Sequence, residues 1–367
     1  MQHFVKQPYE HIWHFMYTEK SGICFCKMKS ALISKYEVLL ENGQPDFDVC
    51  VDNDGVIHLA CQDDGGNIIY LMHTGDTWHK SVLLQSKNPE PYPKNFCILQ
   101  NRAWVNLFYI VNSQGKRLLT HHILNNTSSP DALDYIDGEY FAVQDKLGNN
   151  YVFYNNGYRK YQWNRKEWSD FIKLYDASPY PFVDGEEKIH LVIEESNEIK
   201  YIGNGAKQSL GKGEKPIMFQ IGSILWIMWK DSDRILAAYS GNSGGTWLSN
   251  GEFMSGRTCS SELFKLSCTE NEKNLSVRHC YGYISDNAAK LYLINNFFQT
   301  QNKPTTPQIR VAGQDVQDFA AQYNKEDATE ITKLKIQFSS ITEHLRRIEK
   351  MLAVMENGIK KLLSKGE

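Results

Sequence analysis

Acidic side chains are the first candidates for chemistry in this 367-residue sequence. Hydrolysis of a glycosidic bond needs two carboxyl groups that flank the bond, one of them acting as the acid. Four acidic residues lie on or near the strands that we predict to be innermost, namely Asp48, Asp134, Asp184 and Glu262. Asp184 also belongs to an Asp-Gly turn, a setting in which the carboxylate usually bonds nearby backbone or water. No pair stands out, so we assign no catalytic residue.

Cysteine spacing raises the question of a metal site. Cys24 and Cys26 are two residues apart, so in a strand both point to one face and could supply half of a site. No second pair with suitable spacing accompanies them, and the adjacent His121 and His122 point to opposite faces of an extended chain. The sequence also has no Gly-rich phosphate loop or Gly-x-Ser-x-Gly nucleophile elbow with supporting context. We therefore predict reduced, buried cysteines, no metal and no cofactor.

Composition and charge narrow the classes of partner. Lys plus Arg is 40 against 43 for Asp plus Glu, and a net charge of -3 gives no electrostatic reason to bind nucleic acid. The longest apolar run, residues 224–229, is far shorter than a membrane span. The first nine residues have no apolar segment typical of a secretory signal. We expect synthesis in the cytoplasm, no membrane insertion, and assembly into a coat or surface layer as one possible destination.

An internal repeat of about 45 residues organises the first 300 residues. Each copy begins with an apolar strand, usually after a Pro, and continues through a turn, often of Asp-Gly type, into a second apolar strand, as in residues 45–61. Two further short strands follow, so one copy predicts a four-stranded antiparallel meander. Seven copies predict an all-β fold, a seven-bladed β-propeller of four-stranded antiparallel blades. We expect residues 3–5 to supply the outer strand of the last blade and so close the ring.

One turn carries a family resemblance. Residues 240–247 read Ser-Gly-Asn-Ser-Gly-Gly-Thr-Trp, which resembles the Asp-box hairpin of bacterial neuraminidase repeat propellers. The matching residues are Ser240, Asn242, Gly244, Thr246 and Trp247. The chemistry is structural: Asn242 can bond turn amides, Gly244 permits a positive φ, and Trp247 packs between strands. The resemblance implies a propeller over about residues 1–300 with this hairpin on its periphery.

The same resemblance does not carry over to activity. Sialidases of this family hold a carboxylate with three Arg, the first in an Arg-Ile-Pro motif near the N-terminus. Here residues 5–8 read Val-Lys-Gln-Pro, and the first arginine is Arg102. Lysine does not replace the bidentate grip of arginine. We therefore expect no sialidase activity and favour a binding protein over an enzyme.

Any small ligand is expected at the face where the innermost strands begin, which we call the upper face, because the connecting loops converge there. The predicted ligand-binding residues are Asp46, Lys94, Asn95, Asp131, Tyr180 and Lys215. Solvation of these side chains in loops is the equally simple alternative for each of them.

The C-terminal segment has a different pattern. A polar linker at 301–327 leads to five heptads within residues 328–365. Apolar residues fill every seam position, with Ile331, Phe338, Leu345, Leu352 and Ile359 at a, and Leu334, Ile341, Ile348, Met355 and Leu362 at d. A strict 3.5-residue period predicts an α-helical coiled coil rather than a helix folded back on the propeller. Leu at a with Ile at d favours a trimer or tetramer.

Three functions are compatible with this organisation. The first is a non-enzymatic oligomeric protein that presents several propellers to a repetitive ligand, a glycan or an assembly surface. The second is a glycan-active hydrolase or lyase on a sialidase-like propeller. The third is a structural coat or scaffold subunit with protein partners. We favour the first.

Overall fold

The computed structural model describes residues 2–7, 11–87, 92–101, 104–124, 129–145, 147–163, 165–174, 180–203, 206–254, 259–269 and 275–298. Within these residues the chain forms β-strands and one 3-10 helix, Asn295–Phe298, and no α-helix. No helix among them is long and apolar enough to cross a membrane. The predicted linker and all ten seam positions of the coiled coil lie outside the described residues.

The strands follow one another in short meanders. The first eight are β1 (Gln2–Lys6), β2 (Ile12–Thr18), β3 (Gly22–Met28), β4 (Glu37–Leu40), β5 (Gly43–Val51), β6 (Ile57–Asp63), β7 (Ile68–Thr74) and β8 (Thr77–Leu84). The next nine are β9 (Cys97–Asn101), β10 (Trp104–Ser113), β11 (Lys116–Ile123), β12 (Asp131–Tyr135), β13 (Phe141–Gln144), β14 (Asn150–Tyr154), β15 (Gly157–Gln162), β16 (Glu167–Trp168) and β17 (Ile172–Lys173). The remaining strands are β18 (Tyr180–Val183), β19 (Ile189–Glu195), β20 (Glu198–Gly203), β21 (Ala206–Lys212), β22 (Glu214–Ile221), β23 (Ile224–Asp231), β24 (Arg234–Ser240), β25 (Leu248–Phe253), β26 (Glu262–Cys268), β27 (Leu275–Ser276), β28 (His279–Ser285) and β29 (Ala288–Leu291).

Antiparallel pairing joins consecutive strands into sheets, as the repeat predicted. The orders β5-β6-β7-β8, β9-β10-β11-β12 and β18-β19-β20-β21 are plain four-stranded meanders. The strands β13 to β17 and the strands β22 to β25 with β27 form two further sheets of five. The first strands contact one another in chain order, β1 with β5, β5 with β9, β9 with β13, β13 with β18 and β18 with β22. Sheets arranged radially around their first strands are the architecture of a β-propeller.

The ends of the described chain share one sheet, of order β29-β28-β26-β1-β2-β3-β4. Strand β1 pairs in parallel with β26 and in antiparallel with β2. The prediction that residues 3–5 form an outer strand is therefore wrong, because β1 is a first strand that contacts β5. Its apolar residues explain this position. Phe4 and Val5 are fully buried here, whereas an outer strand would expose one of them to solvent.

The core lies between neighbouring sheets. One cluster joins the first two meanders, with Phe15 and Ile23 packed against Leu59 and Leu71. Another joins the fifth and sixth meanders around Tyr201 and Trp229. Because each sheet buries both faces, all seven residues of β6 are buried, His58 among them. Buried polar groups in such a strand need hydrogen-bond partners.

A repeated aspartate turn supplies some of these partners. Asp52, Asp63, Asp145 and Asp184 each accept a hydrogen bond from the amide four residues later, at 2.8–3.0 Å. After two of these turns the second strand presents a histidine, which is the origin of the repeated Asp-Gly and apolar-His-apolar pattern. The turn residue, the histidine and a tyrosine of the next strand then form one hydrogen-bonded chain. His58 contacts Asp52 at 3.1 Å and Tyr70 at 2.6 Å.

The hairpin between β24 and β25 makes the contacts expected of its sequence. The Ser240 Oγ accepts the Gly244 amide at 2.9 Å, and the Asn242 Oδ1 accepts the Thr246 amide at 2.9 Å. Gly244 has a φ of 80°. Trp247 is buried, and its ring lies 4.9 Å from that of Tyr201 in the neighbouring sheet. The tryptophan therefore fills the space between two sheets.

Candidate functional site

Three of the predicted ligand-binding residues lie together. The Asp46 Oδ2 accepts the backbone amides of Lys94 at 2.6 Å and of Asn95 at 2.7 Å. Lys94 is buried, and its ammonium lies 3.5 Å from the centre of the Tyr92 ring. The Asp46 carboxylate thus ties the start of β5 to the segment that leads into β9. This contact gives the three residues a structural role between two sheets.

Tyr180 and Lys215 lie at the upper face, as predicted. Tyr180 begins β18, is half-buried, and packs with Phe141 at a ring separation of 5.3 Å. Lys215 lies near the start of β22 and is exposed. Its amide donates to the Glu194 carboxylate at 3.0 Å, and its carbonyl accepts the Tyr281 hydroxyl at 2.7 Å. The Lys215 side chain therefore remains directed to solvent.

Asp131 is not at the start of an innermost strand. It begins β12, the outermost strand of its sheet, and is exposed there. A Pro before an apolar stretch, as at Pro130, predicts an innermost strand, but Leu133 and Ile136 after it pack onto the cluster formed by the third and fourth meanders. The innermost strand of the next sheet is β13, which begins only at Phe141.

A pocket of about 390 Å³ opens beside that strand. Its lining residues come from the loop before β13, from β13 and β14, and from the turn after β14, namely Asp137, Gly138, Glu139, Phe141, Phe153, Tyr154, Asn155 and Asn156. Phe141 lies opposite Phe153 in the antiparallel register, so the start of β13 and the end of β14 are at the same edge. That edge is the upper face, where ligand binding was predicted.

Hydrogen bonds hold the wall of this pocket. The Asn155 side chain donates to the Tyr135 carbonyl at 2.9 Å and accepts the Asp137 amide at 3.3 Å. The Arg117 guanidinium donates to the Gly138 carbonyl at 2.9 Å. These contacts fix the loop backbone and leave Asp137 and Glu139 exposed. The wall therefore presents carboxylates on a positioned loop.

Aromatic rings form the apolar part of the pocket. Phe153 and Tyr154 are almost fully buried, and Phe141 is partly exposed. Asn155 and Asn156 adopt positive φ values of 45° and 63°, which asparagine tolerates better than most residues. Carboxylates and amides beside an aromatic surface can bind hydroxyl or amino groups while the ring covers C–H groups.

The surroundings of Tyr180 are acidic. Burial raises the pKa of Tyr180, and the charges of Glu194, Glu139 and Glu214 raise it further. Glu139 lies in the loop before β13, Glu194 lies near the end of β19, and Glu214 begins β22. The upper face beside the pocket therefore carries negative charge from three neighbouring sheets.

A second polar cluster lies among the first strands. The buried Asp48 carboxylate accepts hydrogen bonds from the Ile98 amide at 2.9 Å and from the Lys265 ammonium at 3.1 Å. The Arg278 guanidinium is 3.8 Å from it and donates to the Ile98 carbonyl. Burial, followed by the charges of Lys265 and Arg278, lowers the pKa of His279 to about 3. The cluster connects β5, β9 and β26 and is a structural network at the ring centre.

The cysteine pair does not form a metal site with other described residues. Cys24 and Cys26 are buried, and burial raises the pKa of both thiols. Within the described ranges, no group of three or more His, Cys, Asp or Glu side chains is placed to hold a metal ion. Thiols in this state are poor ligands because the thiolate is the binding form.

None of the six predicted ligand-binding residues lines this pocket, although Tyr180 and Lys215 lie at the same face. In the sequence, Asp137 precedes Gly138 and resembles the aspartate of a solvated Asp-Gly turn, and Phe141 resembles a core residue of an apolar strand. The signal that could have found the site is the Asn155-Asn156-Gly157 turn, which places two amides opposite that loop.

No protein-family model matches this chain, and no curated protein matches it. Solved structures with a similar strand arrangement include the fucose-specific lectin from Aleuria aurantia. Its sequence is 10% identical, the match covers 70% of this chain and 96% of that chain, and the TM-score is 0.41. TolB from Acinetobacter baumannii is similar at 12% identity over 65% of this chain and 63% of that chain, with a TM-score of 0.42. A protein from Lactobacillus plantarum is similar at 12% identity over 79% of this chain and 94% of that chain, with a TM-score of 0.46. Similarity at this level does not identify a ligand for this chain.

Proposed function

We propose that this protein is a non-enzymatic glycan-binding protein whose ligand site is the pocket beside β13. The observation that carries the proposal is the pairing of exposed carboxylates and amides with an aromatic wall in one cavity at the upper face. A volume of about 390 Å³ is within the usual range of small-ligand sites.

The chemistry of the wall matches that of a sugar ring. Hydroxyl groups need directional acceptors and donors, which Asp137, Glu139 and Asn156 supply. The C–H faces of the ring need an apolar, flat surface, which Phe141 supplies. We propose binding without turnover, and the test below detects any product that the protein releases.

We further propose the organisation that makes such binding effective. Residues 1–300 form a seven-bladed propeller, with β26, β28 and β29 as the seventh blade and the Ser240–Trp247 hairpin as an Asp-box. Residues 301–327 form a linker, and residues 328–365 form a trimeric or tetrameric coiled coil through the ten apolar seam positions. Several pockets on one oligomer would then bind a repetitive glycan with high avidity.

The pocket is tested by removing its aromatic ring while keeping its apolar character. Phe141→Leu should weaken binding to a glycan selected on an array by about 3- to 10-fold, the usual worth of an aromatic contact. Phe253→Leu is the matched control, since that half-buried ring lies on β25 and packs with Tyr292. Titration calorimetry measures both affinities.

Two outcomes would contradict the proposal. One is the absence of binding to any glycan on the array by the wild-type protein. The other is equal affinity in the Phe141→Leu variant and the control, with both proteins folded by circular dichroism. Chromatography of the incubated glycan detects any released product, which would instead indicate a hydrolase or lyase.

A further inference from the structure

The charge of the upper face is uneven around the pocket. Asp137 and Glu139 line the cavity, and Glu194 and Glu214 lie beside it around Tyr180. Asp137, Glu139 and Glu194 are exposed, and Glu214 is half-buried. We call these four residues the acidic rim.

Nearby cations do not neutralise the rim by direct pairing. Among the described residues, no side-chain nitrogen of Lys or Arg lies within 4.0 Å of any of the four carboxylates. Arg117 is directed at the Gly138 carbonyl. Lys215 contacts Glu194 through its backbone amide rather than its ammonium. Lys173 is exposed on β17, where it lies opposite Gly157 of β15 in the sheet that also contains β13.

The rim also acts on a neighbouring group. The charges of Glu194, Glu139 and Glu214 contribute to the raised pKa of Tyr180, although burial is the larger cause. A group that these charges keep from losing a proton lies in a region of negative potential. A ligand that enters the adjacent pocket meets the same potential.

On the premise of the proposed function, we propose that the pocket selects sugars that carry a protonated amine, the 2-amino-2-deoxyhexoses, over neutral hexoses, and disfavours hexuronates. The ammonium binds the Asp137 or Glu139 carboxylate by a charge-assisted hydrogen bond, and Phe141 covers the C–H face of the ring. A uronate carboxylate at the same place meets like charge and loses affinity.

The test compares the methyl glycosides of glucosamine, N-acetylglucosamine, glucose and glucuronate by titration calorimetry with the full chain at pH 6. At 50 mM salt, glucosamine should bind about 5-fold more tightly than glucose, the scale of an exposed ion pair. N-acetylglucosamine, which has no charge, should resemble glucose, and glucuronate should be weakest. In 500 mM salt the preference for glucosamine over glucose should fall toward one, because salt screens exposed charges.

Variants assign the preference to the rim. Glu139→Gln and Asp137→Asn should each reduce the glucosamine-to-glucose ratio, and the double variant should abolish it. Glu37→Gln is the control, because it removes one exposed carboxylate from β4 of another sheet and should leave the ratio unchanged.

The outcomes separate this inference from the proposed function. If no glycoside or array glycan binds the wild-type protein, the proposed function fails. If hexoses bind but glucosamine has no advantage, or its advantage survives in high salt or in the folded Glu139→Gln and Asp137→Asn variants, the charge selection is wrong. If the variants do not fold, the salt dependence of the wild-type ratio decides.

Discussion

Two buried histidines, His58 and His190, each lie in a hydrogen-bonded chain between an aspartate and a tyrosine. His190 is fully buried, with its Nε2 3.0 Å from the Asp184 carboxylate and its Nδ1 2.8 Å from the Tyr201 hydroxyl. Burial lowers the pKa of His190. Burial acts to raise the pKa of Asp184, but hydrogen bonds from His190 and from two turn amides hold it below its ordinary value. The folded state therefore keeps the imidazole neutral and the carboxylate charged.

These shifts predict that acid destabilises the fold. The pKa values of five buried imidazoles are lowered, those of His3, His14, His73, His121 and His190, and the pKa values of the half-buried His122 and His279 are lowered as well. Because an unfolded histidine titrates near 6.5, protons bind the unfolded chain first as the pH falls. Stability is thus full above about pH 6.5 and decreases below it. The melting temperature from calorimetry should fall steadily from pH 7 to pH 4.

Substitution identifies the source of this pH dependence. His190→Gln should reduce the loss of stability between pH 7 and pH 4, whereas His79→Gln, at an exposed position on β8, should not change it. A melting temperature that stays constant over this range in the wild-type protein would contradict the account of neutral buried histidines.

The tryptophan of the β24–β25 hairpin gives a second prediction at this scale. Trp247→Ala should lower the free energy of unfolding by about 3–5 kcal/mol, the usual cost of truncating a large buried aromatic side chain. Its contact is with Tyr201 in the next sheet, away from the pocket, so glycan affinity should not change. Denaturant unfolding and calorimetry measure the two quantities. A variant of normal stability that had lost binding would place Trp247 in the ligand site.

The sequence predicted the presence of strands more accurately than their order within each sheet. The aspartate turns and the apolar-His-apolar strands are local patterns, so they could be recognised in the sequence. Whether a strand is first or last depends on which sheet covers it, which local sequence does not contain. For this reason residues 3–5 and Asp131 were placed at the wrong edge, while Tyr180 and Lys215 were placed correctly.

The residues of the pocket also could not be predicted from local sequence. Its carboxylates lie in a loop and its amides in a turn, and these two elements meet only because β13 and β14 pair with Phe141 opposite Phe153. Phe141 looks like any core residue in the sequence, because its partial exposure arises from the shape of the adjacent loop. The sequence predicts the face at which the connecting loops converge, but the residues that line this pocket follow only from the strand register.

At the scale of the whole molecule, the propeller and the heptad segment have separate tasks in the proposed function. The propeller contains the pocket, and its core closes through the pairing of β1 with β26. The heptads have an apolar residue at every a and d position. Assembly should therefore change avidity without changing the affinity of a single site.

The full chain with Ile341→Asp and Ile348→Asp tests this central claim most directly. Two charges buried in each seam should disrupt the oligomer, while Ser339→Asp with Ser340→Asp adds the same charge outside the seam as the control. Light scattering should show a monomer for the seam variant and an oligomer for the control. Affinity for a soluble monovalent glycan should be equal in both, and affinity for an immobilised repetitive glycan should fall by about 10²–10⁴-fold in the seam variant alone. A seam variant that keeps the oligomeric mass and the surface affinity of the control would contradict the account.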